Sequence, residues 1–231
     1  MTLVKICGIS DPAHATAAVE AGADFVGLVF YPPSSRYVTT GRAREVAAAL
    51  DGSRTRLVGL FVNETSETIN RTVNAVGLDL VQLAGVENPQ DAGGIDRPVI
   101  ATIRADSSGR VDEERRFLAW TSGTAQPFAI LLDAHVPGMY GGTGTVADWF
   151  VAAEFARRYP VVLAGGLTPA TVGLAIHRVH PFGVDVSSGV ETQGHKDIEK
   201  IRAFIAAVRQ ADADPISSVT ASIDVPAGRG R

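Results

Sequence analysis

The chain has 231 residues, 45% of them hydrophobic and 20% charged, enough to bury a substantial core without disulfide or metal staples. A formal net charge of −4 gives no electrostatic reason to expect nucleic acid as a partner, and no apolar run approaches the roughly 18–20 residues that cross a bilayer. One cysteine, Cys7, excludes an internal disulfide framework and points to a reducing cytoplasm.

The N-terminus opens directly into an apolar, β-branched run at 3–7, with no basic-then-apolar-then-small signal pattern. Similar runs recur at 25–30, 57–62, 80–83, 99–103, 129–133, 161–164 and 183–187. Several are apolar on both faces, as parallel strands covered by helices should be. Between them lie stretches with helical period at 12–21, 41–50, 64–76, 111–120, 146–158, 169–177 and 197–211. Asp11-Pro12 and Thr168-Pro169 each read as an N-cap followed by proline at the first helical position. Gly22 reads as a helix stop. The fourth unit is the shortest, because 88–96 has room for little more than one helical turn.

Eight strands alternating with helices predict a single-domain α/β fold, a closed parallel (β/α)8 barrel over residues 1–211. An open doubly wound sheet is the alternative architecture. Its glycine-rich dinucleotide fingerprint is absent, since Cys7 is followed by Gly8-Ile9-Ser10-Asp11-Pro12. The stretches at 107–110 and 138–144 read as loops. The last residues, 212–231, mix Asp, Ser, Pro and Gly without strong period and read as a flexible tail.

In such a barrel the chemistry sits at the C-terminal ends of the strands. Cys7 ends the first strand, Asp133 the sixth, and Asp185 through Ser188 the eighth. Arg36 falls in the second β-to-α loop, and Asn63 and Gln82 lie near the ends of strands three and four. Most unpaired cysteines are small buried hydrophobes. Cys7, at the mouth of the first strand, is placed instead to act as base or nucleophile, if neighbours such as Lys5 or backbone donors lower its pKa. Asp133 follows an apolar run and begins a glycine-rich loop to Gly144 that can partly close over a ligand. Gly165-Gly166 after strand seven, and Ser187-Ser188-Gly189 after strand eight, are small residues whose N–H groups can approach an anion, which predicts a phosphate site. His177 and His180 are three apart with no third ligand in view, so no metal site is expected.

These residues resemble phosphoribosylanthranilate isomerases. The resemblance rests on Lys5-Ile6-Cys7-Gly8, Phe30-Tyr31-Pro32-Pro33-Ser34-Ser35-Arg36-Tyr37-Val38, Val58-Gly59-Leu60-Phe61-Val62-Asn63 and Val81-Gln82-Leu83. It continues through Leu131-Leu132-Asp133, Gly141-Gly142-Thr143-Gly144, Asp148-Trp149, Leu163-Ala164-Gly165-Gly166-Leu167 and Val184-Asp185-Val186-Ser187-Ser188-Gly189-Val190-Glu191, ending at Lys196-Asp197.

The resemblance implies an Amadori rearrangement of N-(5′-phosphoribosyl)anthranilate in tryptophan biosynthesis, with no cofactor. Carried over by position, Cys7 is the general base and Asp133 the general acid. Arg36 binds the anthranilate carboxylate, and Gln82 and Asp185 contact the sugar or the anthranilate amine. Gly165, Gly166, Ser187, Ser188 and Gly189 hold the phosphate. The expected partner is a small phosphosugar, with neither nucleic acid nor membrane, and the expected state is a monomer or homodimer. The chain departs from the family where Gln-Leu-His-Gly is usual, because it reads Gln82-Leu83-Ala84-Gly85. Two alternatives are a histidine-pathway isomerase, which carries an aspartate where Cys7 stands, and a family-like barrel that only binds a ligand.

Overall fold

The computed structural model describes residues 1–104, 110–123, 126–133 and 146–214. The glycine-rich loop at 134–144, most of the 107–110 loop and the tail beyond 214 lie outside the described residues. Eight parallel strands follow one another around a closed barrel: β1 (Leu3–Cys7), β2 (Phe25–Val29), β3 (Arg56–Phe61), β4 (Leu80–Leu83), β5 (Val99–Arg104), β6 (Ala129–Asp133), β7 (Val161–Ala164) and β8 (Gly183–Val186). β8 pairs back onto β1 with Lys5 opposite Asp185, which closes the ring. No open sheet edge remains in the barrel, so the doubly wound alternative does not apply.

The connecting helices are α1 (Pro12–Ala21), α2 (Thr40–Ala48), α3 (Ser66–Val76), α4 (Pro89–Ala92), α5 (Arg110–Thr121), α6 (Val146–Ala156), α7 (Val172–Val179) and α8 (Ile198–Ala213). Their boundaries follow from local chemistry. The Asp11 carboxylate accepts the Ala13 N–H at 2.8 Å, Pro12 takes the first turn, and Gly22 closes α1 in the left-handed region at φ 92°. The single turn of α4 is held by a reciprocal cap between Asn88 and Asp91.

Each strand is buried on both faces, which explains the unbroken apolar runs. Val4, Ile6, Val26, Leu28, Val81 and Leu163 pack outward against the helices. Phe25, Val58, Leu80, Ile100, Leu131 and Val162 fill the interior. Fully burying one such Leu or Phe contributes about 1.5–3 kcal/mol. At the N-terminal ends of the strands the floor is aromatic. Phe25 and Phe128 meet edge to face at 6.2 Å, and the Arg56 guanidinium lies 4.5 Å from the Phe25 ring centre. Among the described residues no helix is long and apolar enough to cross a membrane.

Three features differ from expectation. The helix after β7 starts at Val172 and not at Pro169. The Thr171 hydroxyl accepts the Thr168 N–H at 3.0 Å, and the Thr168 carbonyl accepts from Thr171 and Val172, so 168–171 is spent on a turn. After β8 a short 3-10 turn (Ser188–Val190) leads into a hairpin of two-residue strands, β9 (Glu191–Thr192) and β10 (His195–Lys196), that the sequence did not announce. Asp212, expected in the tail, belongs to α8. Its carboxylate accepts the Thr2 N–H at 2.9 Å and the Thr2 hydroxyl at 2.7 Å, fastening the last helix to the start of β1.

Candidate active site

Because inward side chains alternate along a strand, β1 sends both Lys5 and Cys7 into the barrel mouth. Lys5 is 1% exposed, and its Nζ donates to Asp185 Oδ1 at 2.9 Å across the β1–β8 seam. Burial alone would lower the Lys5 pKa, but the Asp185 carboxylate and the Cys7 sulfur beside it raise it above the ordinary value, so the ammonium is charged. Cys7 itself is buried, and its thiol is pushed up, not down. Removal from water is the largest influence, and the Lys5 ammonium opposes it without overcoming it. The lowering that the sequence reading set as a condition for a Cys7 base is not met in the unliganded protein. The neighbour invoked, Lys5, is the right one.

A second charged cluster spans the loops after β2 and β8. Arg36 Nε and Nη2 donate at 2.7 Å each to the two carboxylate oxygens of Glu191. Lys196 donates to the same carboxylate, to the Ser187 carbonyl at 2.9 Å and to the Ser187 hydroxyl at 3.2 Å. These hydrogen bonds hold the Glu191 carboxyl below its usual range despite its burial. Burial moves the Lys196 amine down, with Glu191 opposing. The Arg36 stem crosses Gly8, whose φ is +75°; a Cβ there would lie 2.5 Å from Arg36 Cδ. Only glycine lets Arg36 lie against the end of β1.

The loops after β7 and β8 interlock. Gly165 and Gly166 both have positive φ, at 91° and 63°. A Cβ on Gly189 would stand 1.8 Å from the Leu167 carbonyl oxygen, so glycine is the residue that fits there. The Ser187 hydroxyl donates to the Cys7 carbonyl at 3.1 Å, joining the loop after β8 to the end of β1. The predicted phosphate residues thus converge on one stretch of the rim, beside Cys7.

The other predicted residues fall on the same rim with different partners. Gln82 is buried, donates to the Thr102 hydroxyl at 3.2 Å, and keeps its carbonyl oxygen without a partner. Asp133 ends β6, opposite Ala164 of β7, and is half-buried. Asn63 is taken up locally: its carbonyl oxygen accepts the Val86 N–H at 2.9 Å, bracing the loop after β4. Ala84 is buried just past β4, on the same face as Gln82. His177 lies in α7 and His180 caps it, and among the described residues no three metal-binding side chains gather.

A family model described as N-(5'phosphoribosyl)anthranilate (PRA) isomerase matches residues 4–207, from β1 into α8. The chain belongs to the PRA isomerase family. It is 48% identical over 219 residues to the N-(5'-phosphoribosyl)anthranilate isomerase of Roseiflexus sp. strain RS-1, covering 91% of this chain and 99% of that one. Against the same enzyme of Pseudomonas syringae pv. tomato the identity is 46% over 205 residues, with 88% and 96% covered. Among solved structures, phosphoribosyl anthranilate isomerase from Thermotoga maritima matches with a TM-score of 0.81 at 38% identity, over 91% of this chain and all of that one. A PRA isomerase solved with reduced 1-(o-carboxyphenylamino)-1-deoxyribulose 5-phosphate matches with a TM-score of 0.77 at 36% identity, over the same shares.

For a PRA isomerase, the surprising members of the site are Glu191 and Lys196. Both stand in segments that carry the resemblance, yet neither drew a role from sequence. One signal was available: Glu191 lies two residues past the small-residue loop after β8, where a carboxylate can reach a basic side chain of the neighbouring loops.

Proposed function

We propose that this chain carries out the reaction for which its family is named. N-(5′-phosphoribosyl)anthranilate is rearranged, without a cofactor, to 1-(2-carboxyphenylamino)-1-deoxyribulose 5-phosphate, a step of tryptophan biosynthesis. The observation that carries the reading is the placement of Cys7 and Asp133 at the ends of β1 and β6, on the rim that also holds the interlocked loops after β7 and β8. An acid, a base and an anion cradle on one rim suit a phosphosugar held at one end and reacted at the other. The histidine-pathway alternative loses its ground, since residues 4–207 match the PRA isomerase family.

In this reading Asp133 gives a proton to the furanose ring oxygen, and the ring opens to a cationic Schiff base. Cys7, as thiolate, then takes the proton from ribose C2, leaving an enolamine that tautomerises to the ketone. The cationic intermediate favours the thiolate that burial disfavours in the unliganded protein. Each proton-transfer group contributes roughly 10²–10⁴-fold in rate. The phosphate rests on Gly165, Gly166, Ser187, Ser188 and Gly189. Glu191 takes Arg36 Nε–H and one Nη2–H, which leaves the Nη1 protons and the second Nη2 proton to meet the anthranilate carboxylate. The unpartnered Gln82 carbonyl suits the anthranilate amine N–H or a sugar hydroxyl, and Asp185 is the second candidate for these contacts.

The Thermotoga maritima relative is described as dimeric, and we infer a monomer or homodimer for this chain, working in the cytoplasm, where an unpaired Cys7 stays reduced. The test is to generate the labile substrate in situ and follow the loss of anthranilate fluorescence. The wild type should be active, and Cys7→Ala and Asp133→Asn should each fall at least about a hundredfold. Full activity in Cys7→Ala removes the base assignment, and a folded but inactive wild type favours the ligand-binding alternative.

A further inference from the structure

A lysine inside a barrel is expensive: taking an ion pair out of water costs several kcal/mol per ion before the pair's attraction is counted, and apolar replacements are often as stable. Lys5 is such a residue, and its surroundings go beyond what an ion pair with Asp185 needs. Gly27 of β2 stands opposite Cys7 in the sheet register. A Cβ built on it would lie 3.0 Å from Cys7 Sγ, 3.1 Å from Lys5 Cε and 3.1 Å from Lys5 Nζ. The sulfur and the ammonium therefore crowd the spot where a β2 side chain would stand, and both fit there because Gly27 has no Cβ. The ammonium lies near enough to the sulfur to act on it electrostatically, while Asp185 holds it at 2.9 Å.

We propose that Lys5, fixed by Asp185 and admitted by Gly27, is the positioning residue that makes Cys7 competent as the base, by placing a permanent positive charge beneath the thiolate. The proposal rests on the reading of Cys7 as base. The proton balance is simple. Cys7 loses its proton to solvent to form the thiolate, later takes the C2 proton to return to the thiol, and Lys5 keeps all three of its protons throughout. Without Lys5, the thiolate would form beside the Asp185 carboxylate, two anions in a buried site with nothing between them.

Lys5 and Asp185 act on the sulfur with opposite signs, Lys5 drawing its pKa down and Asp185 pushing it up, while Lys196 of the hairpin after β8 adds a weaker downward pull that every variant keeps. That opposition makes the test specific. Cys7 is the only cysteine in the chain, so the ultraviolet absorbance of the thiolate, followed during a pH titration with Cys7→Ala as blank, reports on it alone. Lys5→Met should move the thiol midpoint up by roughly one pH unit or more. Asp185→Asn should move it down. The double variant Lys5→Met/Asp185→Leu removes both charges, guards against misfolding of the single variant, and should also titrate above wild type. In the rearrangement, Lys5→Met or the double variant should lose at least about tenfold in kcat near neutral pH, a loss that shrinks as pH rises. A midpoint that does not rise when Lys5 is removed overturns the proposal, as does one that rises in Asp185→Asn. An active Cys7→Ala would instead overturn the base assignment, a failure distinct from either.

Discussion

Arg36 and Glu191, 155 positions apart in the chain, meet through two parallel bonds of 2.7 Å. The pair ties the loop after β2 to the hairpin after β8, and Lys196 adds a third donor to the same carboxylate. Charge-assisted bidentate pairs are among the strongest hydrogen bonds a protein makes. Glu191→Gln should therefore destabilise the fold by about 2–3 kcal/mol, less than the 3–5 usual for a fully buried pair because the Arg36 side chain stays 32% exposed. The pH dependence has a definite sign. The folded carboxyl titrates below its unfolded value, so its contribution is present above about pH 4.3 and is lost as pH falls through the folded value. Urea midpoints of wild type and variant should differ most near neutrality and converge in acid. A difference that stays constant down to about pH 3 would contradict this.

Lys196 connects that cluster to the anion loops through the Ser187 carbonyl and hydroxyl. On the proposed reading of that loop as the phosphate's holder in ground state and transition state alike, Lys196→Met should leave kcat within a few fold and raise KM by roughly tenfold. Steady-state assays distinguish this from a purely catalytic defect, in which kcat would fall and KM hold.

Two glycines of the same loops should respond differently to alanine. Gly189→Ala drives a methyl group into the Leu167 carbonyl, 1.8 Å away, and should lower stability by at least about 2 kcal/mol with loss of phosphate affinity. Gly166→Ala meets nothing within 4 Å, so its penalty is the left-handed backbone alone, about 1–2 kcal/mol. Thermal unfolding with and without inorganic phosphate measures both, and equal effects would refute the interlocked arrangement.

Gly27→Ala probes the close approach of Lys5 and Cys7 to β2. The added carbon would sit 3.0 Å from the sulfur and 3.1 Å from the ammonium, tighter than ordinary contact. It should reduce kcat by roughly tenfold or more by prising the two apart, while Tm shifts by only a few degrees because the ends of both side chains can give way. Unchanged kcat with a lower Tm would mean that the glycine serves packing alone.

The barrel was legible because its signal is redundant. Eight two-faced apolar runs, Phe25–Val29 and Val161–Ala164 among them, can be buried on both sides in few other ways. The caps at Asp11 and Gly22 read correctly since each acts within its own few residues. Thr168-Pro169 misled because a rival local bond, Thr168 with Thr171, wins by a margin that no pattern displays. The hairpin after β8 escaped because strands of two residues carry no periodicity. At the mouth, positions followed from strand ends, but partners did not. That Arg36 turns to Glu191, or that burial outweighs Lys5 at Cys7, is settled by side chains distant in sequence.

The lysine bridge across the β1–β8 seam also has a bearing on engineering. A search for hardier versions of this barrel would be rewarded at that level for swapping the ammonium and carboxylate for hydrocarbon. Selection by heat alone would thus drift toward robust but idle proteins. A library built around this layer has to be screened for turnover in every round.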